Sequence, residues 1–286
     1  MNEKYALVTG AGQGLGHAFA TELAKRGINV LMTALPGEKL GRFSAQLAAH
    51  YEIFTDYLEC DLTEITEITR LVGWAKSYPV SILINNAGLG GTSEFESTRA
   101  ALINNIILVN VRATAMITHQ LLPTLKSQTP SWILNVSSMA SFSPIGYKTV
   151  YPASKVFIQH FSRGLFEELR GSGIFVSVVH PGPMKTNTDS TLRIERQGML
   201  GKIGLLTPEF LAEKAITRLF RKDSLILVGW MNKINWLLMK SVPVWIRLPI
   251  ITQVVKREIV STRHQNTRNE SIGYRRQQLA GGEYHG

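Results

Sequence analysis

Short apolar runs rich in β-branched residues alternate along the chain with longer stretches in which apolar residues return every three or four positions. The runs are YALVT, INVLMT, VSILIN, SWILNVSS, GIFVSVVHPG and SLILVG. Their length and largely apolar character suit strands covered on both faces. The intervening spacing predicts helices over Leu15–Arg26, Glu64–Lys76, Arg99–Leu122, Pro152–Arg170 and Pro208–Phe220. Strand and helix in alternation imply the α/β class, a doubly wound parallel sheet of the Rossmann type.

No composition break or internal repeat divides residues 1–229, which read as one catalytic-domain-sized unit. The texture changes at Trp230. Residues 230–261 are apolar and basic with prolines at 243 and 249, and read as a C-terminal helical extension. Residues 262–286 are polar and read as a mobile tail.

Composition changes the picture in three places. Cys60 is the only cysteine, so an internal disulfide is excluded and a reducing compartment, the cytoplasm, is expected. The opening MNEKYALVTG lacks the long apolar segment of a secretory signal, and no apolar run reaches the roughly 18 to 20 residues of a membrane span. The net charge of +10 is uneven: nine Lys or Arg against three Glu fall between Trp230 and Gly286. These basic residues are not set in a nucleic-acid-binding motif, so no nucleic-acid partner is expected.

Candidate chemistry starts after the first strand. ALVTGAGQGLGHAFATEL sets Gly10, Gly12, Gly14 and Gly16 between an apolar strand and an amphipathic helix. Residues without Cβ allow a tight turn and close backbone approach to a diphosphate, and the helix N-terminus offers free N–H groups. The spacing misses G-x-G-x-x-G, because Leu15 stands three beyond Gly12, but fits T-G-x-x-x-G-x-G through Thr9, Gly10, Gly14 and Gly16. A glycine turn alone is weak support for a nucleotide site; strand, turn and helix together favour one. His17, His119 and His160 lie within helical patterns without metal-ligand spacing, so no metal is expected. Ser138 lacks the G-x-S-x-G elbow of a serine hydrolase.

Further motifs follow in a fixed order: CDL with Asp61 and Leu62, NNAG with Asn86, Ala87 and Gly88, SS at 137–138, YPASK with Tyr151 and Lys155, and HPGPMKT with Pro181, Gly182 and Thr186. With the glycine turn, this order over residues 6 to about 186 resembles the short-chain dehydrogenase/reductase family. Taken singly, each residue has a bland reading: a Tyr before a helix is more often packing, a helix Lys is usually solvated, and a Ser pair at a strand end is usually turn chemistry.

The resemblance implies roles. Tyr151 is the proton donor or acceptor, Ser138 orients the substrate oxygen, and Asn110 holds a water linking Lys155 to solvent. Lys155 hydrogen-bonds the nicotinamide ribose and lowers the Tyr151 pKa. Elementary chemistry agrees with the pair, because a free phenol titrates near 10 and needs a nearby cation to act at neutral pH. Residues at i and i+4 share a helix face. Cofactor contacts are implied for Gly10, Gly12, Gln13, Gly14, Leu15, Gly16, Asp61, Leu62, Asn86, Ala87, Gly88, Tyr151, Lys155, Pro181, Gly182 and Thr186.

The second strand is expected to end near Ala34, where NAD-specific relatives carry an acid. Ala34 and Leu35 supply neither that acid nor an arginine, and Gln13 replaces the basic residue of many NADP users. Lys39 and Arg42 lie close enough in sequence to reach a 2′-phosphate, which favours NADP(H) over NAD(H).

The segment from Met184 to Leu206 corresponds to the family's substrate lid. The stretch from Ile133 to Gly182 is most similar to the branch of 3-ketoacyl-thioester reductases and hydroxysteroid dehydrogenases, implying a lipophilic ketone or alcohol. By the same resemblance, the helices at Arg99–Leu122 and Pro152–Arg170 pair subunits into a homodimer or homotetramer. Residues 230–256 carry Trp230, Trp236 and Trp245 with Lys233, Lys240 and Arg247 seven apart. They read as a cover over the substrate cleft or a neighbouring subunit, with peripheral membrane contact as the alternative. Two rival functions stand beside the oxidoreductase. One is a non-catalytic nucleotide-binding regulator or scaffold; the other is a sugar-nucleotide epimerase or dehydratase, for which residues 230–286 make a poor substrate domain.

Overall fold

The computed structural model describes residues 4–184, 205–257 and 259. Thr186, most of the expected lid and the expected tail lie outside the described residues. Seven strands form one parallel sheet in the order β3-β2-β1-β4-β5-β6-β7. They are β1 (Tyr5–Thr9), β2 (Asn29–Ala34), β3 (Thr55–Glu59), β4 (Val80–Asn85), β5 (Ser131–Val136), β6 (Ile174–Val179) and β7 (Leu225–Ile226). The helices between them are α1 (Gly14–Lys25), α2 (Leu40–Tyr51), α3 (Ile65–Ala75), α4 (Ala100–Ile107), α5 (Thr114–Ser127), α6 (Val150–Glu168) and α7 (Pro208–Phe220). After β7 come α8 (Trp230–Ser241) and a helical stretch over residues 244–257.

β2, β4 and β5 are buried at every position, as their predominantly apolar sequences favour. Alternate side chains feed two cores. Ala6 and Val8 face the side covered by α1 and α7, with Phe19, Leu23, Leu211 and Ile216. Leu7 faces the other side, with Ile68, Leu71, Ile117, Leu121 and Leu125 of α3 and α5.

Three elements differ from the sequence-based reading. β3 and α2 lie outside its runs and helices. β3 is an edge strand whose residues are half-buried or exposed, so TDYLE shows no continuous apolar run. α2 begins after Lys39 in the left-handed region (φ 58°), with no side-chain cap to signal it. The helix expected over Arg99–Leu122 runs on to Ser127 past Pro123, and its middle turn, Leu108–Ala113, is π-helical.

The stretch Ala100–Ser127 is also long and apolar enough to cross a membrane, contrary to the expectation that no segment reaches that length. Two of its polar residues are engaged within the fold, however. Arg112 Nη2 donates to the Thr63 carbonyl at 2.6 Å, and Thr118 Oγ1 accepts from Asn85 Nδ2 at 2.9 Å. With Ile117, Leu121 and Leu125 fully buried, this is a core helix packed on the sheet.

Candidate active site

Five of the motifs fall at the C-terminal edge of the parallel sheet: Gly10 follows β1, Asp61 follows β3, Asn86–Gly88 follow β4, Ser138 follows β5 and Pro181–Gly182 follow β6, while YPASK opens α6. Parallel strands joined by crossover helices bring all their C-terminal ends to one side, and the order reverses between β1 and β4.

The two turns flanking that reversal are tied together. Asn86 Nδ2 donates to the Thr9 and Gly10 carbonyls (2.9 and 3.1 Å), and Thr9 Oγ1 accepts from the amides of Asn86 and Ala87 (3.0 and 3.1 Å). Gly10 has φ +65° and lies where a Cβ would come 2.9 Å from the Ala87 Cα, so both backbone and space call for glycine. A Cβ at Gly16 would collide with the Gly10 carbonyl.

Gln13 precedes α1 without a side-chain cap bond, and the helix's first turn has no acid. The first-turn amides therefore lack the side-chain acceptor that normally caps a helix, which is the donor set a diphosphate needs. Leu15 contributes backbone alone, since its side chain is in the core. Asp61 Oδ1 accepts from the Thr63 amide at 2.8 Å and closes the turn after β3; Leu62 is buried behind it.

Lys155 and Asn110 are the buried polar groups of the catalytic constellation. Lys155 is 5% exposed, its Nζ donates to the Val136 carbonyl at 2.9 Å, and it lies 5.9 Å from the centre of the Tyr151 ring. Burial lowers its pKa to about 8. Asn110 sits in the π-helical turn. Its Oδ1 accepts from the Leu89 amide (2.7 Å), and its Nδ2 donates to the Leu89 carbonyl (2.9 Å) and to Ser154 Oγ (2.9 Å). One side chain thereby holds the loop after β4 against α6. A Cβ at Gly88 would stand 3.2 Å from Lys155 Nζ and 3.3 Å from Asn110 Oδ1, so the glycine keeps lysine and asparagine near one another.

Ser138 caps the short 3-10 turn Met139–Phe142 by accepting from the Ala140 amide at 3.1 Å. Accepting that bond leaves the hydroxyl proton to be donated elsewhere. Neighbouring Ser137 donates to the Lys155 carbonyl at 2.8 Å, and the Met139 amide donates to the Pro181 carbonyl at 2.9 Å. These bonds tie the ends of β5 and β6, which bear Ser138 and Pro181, to each other and to the turn of α6 that bears Lys155.

The sequence profile of the family described as short chain dehydrogenase matches residues 4–197. The chain belongs to that family. Very-long-chain 3-oxoacyl-CoA reductase-B of Danio rerio is 31% identical over 182 residues, 62% of this chain and 58% of that protein, so the match spans only part of the reductase. A Homo sapiens protein named inactive hydroxysteroid dehydrogenase-like protein 1 is 30% identical over 248 residues, 85% of this chain and 73% of its own. Among solved structures, an NADP active-site complex of Pseudomonas aeruginosa RhlG aligns with a TM-score of 0.66 at 27% identity, over 75% of this chain and 88% of that one.

Two residues at the edge of this dehydrogenase sheet escaped the sequence reading. Glu38 was passed over because no acid stands at the end of β2, yet the following loop folds back until its carboxylate lies where a Cβ of Gly12 would be. Gln13 Nε2 approaches Glu38 Oε1 at 3.5 Å. His180 lies fully buried, with Nδ1 3.1 Å from the Ser138 carbonyl and 3.0 Å from Ser141 Oγ. Burial lowers its pKa to about 4, the Ser138 carbonyl opposes that shift and the Lys155 cation adds to it. The only sequence signal was its place beside Pro181.

Proposed function

We propose that this chain is an NAD(P)-dependent oxidoreductase acting between a carbonyl and a secondary alcohol of a lipophilic substrate, a 3-ketoacyl thioester or a steroid-like ketone. The observation that carries the reading is Lys155. A buried ammonium held, among the described residues, by one carbonyl and no carboxylate costs stability, and its position beside Tyr151 gives that cost a chemical use.

The cofactor, when bound, supplies or accepts the hydride. The residues present fit it: the uncapped α1 N-terminus with Gly10, Gly12, Gln13, Gly14, Leu15 and Gly16 would hold the diphosphate. Asp61 and Leu62 would hold the adenine, and Asn86, Ala87, Gly88, Pro181 and Gly182 would bed the nicotinamide half, with Tyr151 and Lys155 at its ribose. Thr186, outside the described residues, would contact the carboxamide by the resemblance.

In the reductive direction the Tyr151 hydroxyl gives its proton to the substrate oxygen while Ser138 donates a second hydrogen bond to the same atom. The Lys155 ammonium stabilises the phenolate so formed. Asn110 Oδ1 has a second lone pair for a water on the path from Lys155 to solvent.

NADP(H) is the proposed cofactor, on the support of exposed Lys39 and Arg42 at the start of α2 and of the NADP complex of the RhlG structure. Glu38 opposes it and has to swing off the glycine turn. Exposed Ile107 and Phe157 support the proposal that α4–α5 and α6 pair subunits in a homodimer or homotetramer. Cys60 is a buried free thiol, in keeping with a cytoplasmic location.

Purified protein is to be assayed with NADPH and NADH against 3-ketoacyl thioesters and steroid ketones of graded chain length or bulk. Tyr151→Phe is expected to lower turnover at least about a hundredfold while cofactor affinity stays within about threefold. Equal turnover in the variant would overturn the proton role. The human relative named inactive favours a second reading, a nucleotide-binding protein without turnover. Cofactor binding with no turnover on any ketone of the panel would establish that one.

A further inference from the structure

The segment after β7 turns one face towards the catalytic edge and the other to solvent. On the inner face, Asn232 is 1% exposed and its side chain stands where a Cβ of Gly182 would be. The Trp236 ring lies 6.5 Å from Phe142, and Thr252 Oγ1 accepts from the Gly146 amide at 3.1 Å.

On the outer face, Trp230, Ile234, Leu237 and Leu238 are exposed at i, i+4, i+7 and i+8 of α8, a single stripe along the helix. Val244, Trp245, Ile246 and Ile250 continue the exposed apolar surface in the next helical stretch. Trp230 and Trp245 are 69% and 76% exposed. This reverses the ordinary arrangement of a helix in a water-soluble domain, because an asparagine is buried while the largest apolar side chains face outward.

Charge decides what this face meets. From Ser224 to Arg257 the sequence holds Lys233, Lys240, Arg247, Lys256 and Arg257 and no Asp or Glu. Lys233 and Lys240, seven apart, flank the apolar stripe, with Lys240 Nζ 4.5 Å from the Trp236 ring centre. Lys256 and Arg257 are exposed at the far end.

We propose that the outer face of residues 230–257 docks on a bilayer bearing anionic headgroups. A second copy seated on the same face about a two-fold axis would set cations against cations, with no Asp or Glu between Ser224 and Arg257 to answer them. An anionic bilayer answers both halves of the surface. Acyl chains take the Leu, Ile and Val stripe, the tryptophans lie at headgroup depth, and the lysines reach the phosphates over their own apolar stems. Because the inner face contacts residues 142, 146 and 182, docking sets the candidate active site beside the membrane surface. The docking itself does not depend on the proposed reaction.

The test is flotation of the full-length protein with phosphatidylcholine vesicles and with vesicles containing one-third phosphatidylglycerol, at low salt and at about 0.5 M salt. Binding is expected on the anionic vesicles, about tenfold above the neutral ones, and weakened by salt. The Trp230→Ser/Trp245→Ser double variant, altered only at exposed positions, is expected to lose about tenfold of that binding with an unchanged melting temperature. Tyr151→Phe is expected to float like the wild type, which separates docking from catalysis. No binding of wild-type protein to anionic vesicles, or full binding by the double variant, overturns the proposal. Self-association in sedimentation velocity that the double variant abolishes, without vesicle binding, assigns the face to a second copy instead.

Discussion

At the residue scale, the informative side chains are those that sit awkwardly unless they have a task. Glu38 places a carboxylate over the glycine turn where an anionic cofactor has to bind. Neutralising it as Glu38→Gln is expected to tighten NADPH binding by about fivefold, the effect of an interaction of about 1 kcal/mol between charges in water. NADH, without the 2′-phosphate, is expected to gain less. Fluorescence titration of both cofactors at two salt concentrations checks this, and an equal gain for both would show that Glu38 does not discriminate between them. Tyr151, Lys155, Ser138 and Asn110 were legible in the sequence because four residue types stood in a fixed order around a glycine turn. Glu38 was not, since the loop of residues 35–39 turns back in space in a way that no spacing encodes. His180 was equally hidden: a histidine beside a proline says nothing of the Ser138 carbonyl it meets.

At the scale of elements, the π-helical turn Leu108–Ala113 places Asn110 where one side chain satisfies both backbone groups of Leu89 and a hydroxyl of α6. Such single-turn irregularities inside α-helices recur at functional sites. Asn110→Ala leaves the partly buried backbone groups of Leu89 without their side-chain partner and is expected to cost about 1 to 2 kcal/mol in urea denaturation. Turnover is expected to fall further than the loss of folded protein explains, since the loop at Gly88 is no longer pinned beside Lys155. The central strands were readable because burial on both faces makes their sequences predominantly apolar, with the few polar residues, such as Asn85 and Asn135, small or hydrogen-bonded. Edge strand β3 and uncapped α2 were unreadable for the complementary reason, that solvent on one side relaxes the demand for pattern.

At the scale of the whole molecule, the buried titratable groups set how stability depends on pH. His180 is lowered to about 4 from 6.5, so between those values the unfolded chain holds a proton the folded chain does not. Its contribution is present above pH 6.5 and is lost as the pH falls towards 4. Lys155 is lowered to about 8 from 10.5, so by the same sign stability rises with pH from 8 to 10.5. Each contribution has a ceiling of about 3 kcal/mol. Melting temperature against pH is expected to climb through the lower window, and His180→Gln is expected to flatten that limb. In the upper window Cys60, raised by burial, and Tyr78, raised by its bond to Asp56, oppose Lys155, so the measure there is wild type minus Lys155→Met, a difference expected to grow from pH 8 to 10.5; variants that leave both limbs unchanged would contradict the assignment. The sequence by itself determined the α/β alternation, the buried central strands, the family and the motifs proposed to build the candidate site, because burial and phosphate approach restrict residue type position by position. Tertiary structure alone decided which loops fold back, which lysine loses water, and which side of the segment after β7 is exposed. Those outcomes depend on the neighbours that distant parts of the chain supply, and local spacing carries no record of them.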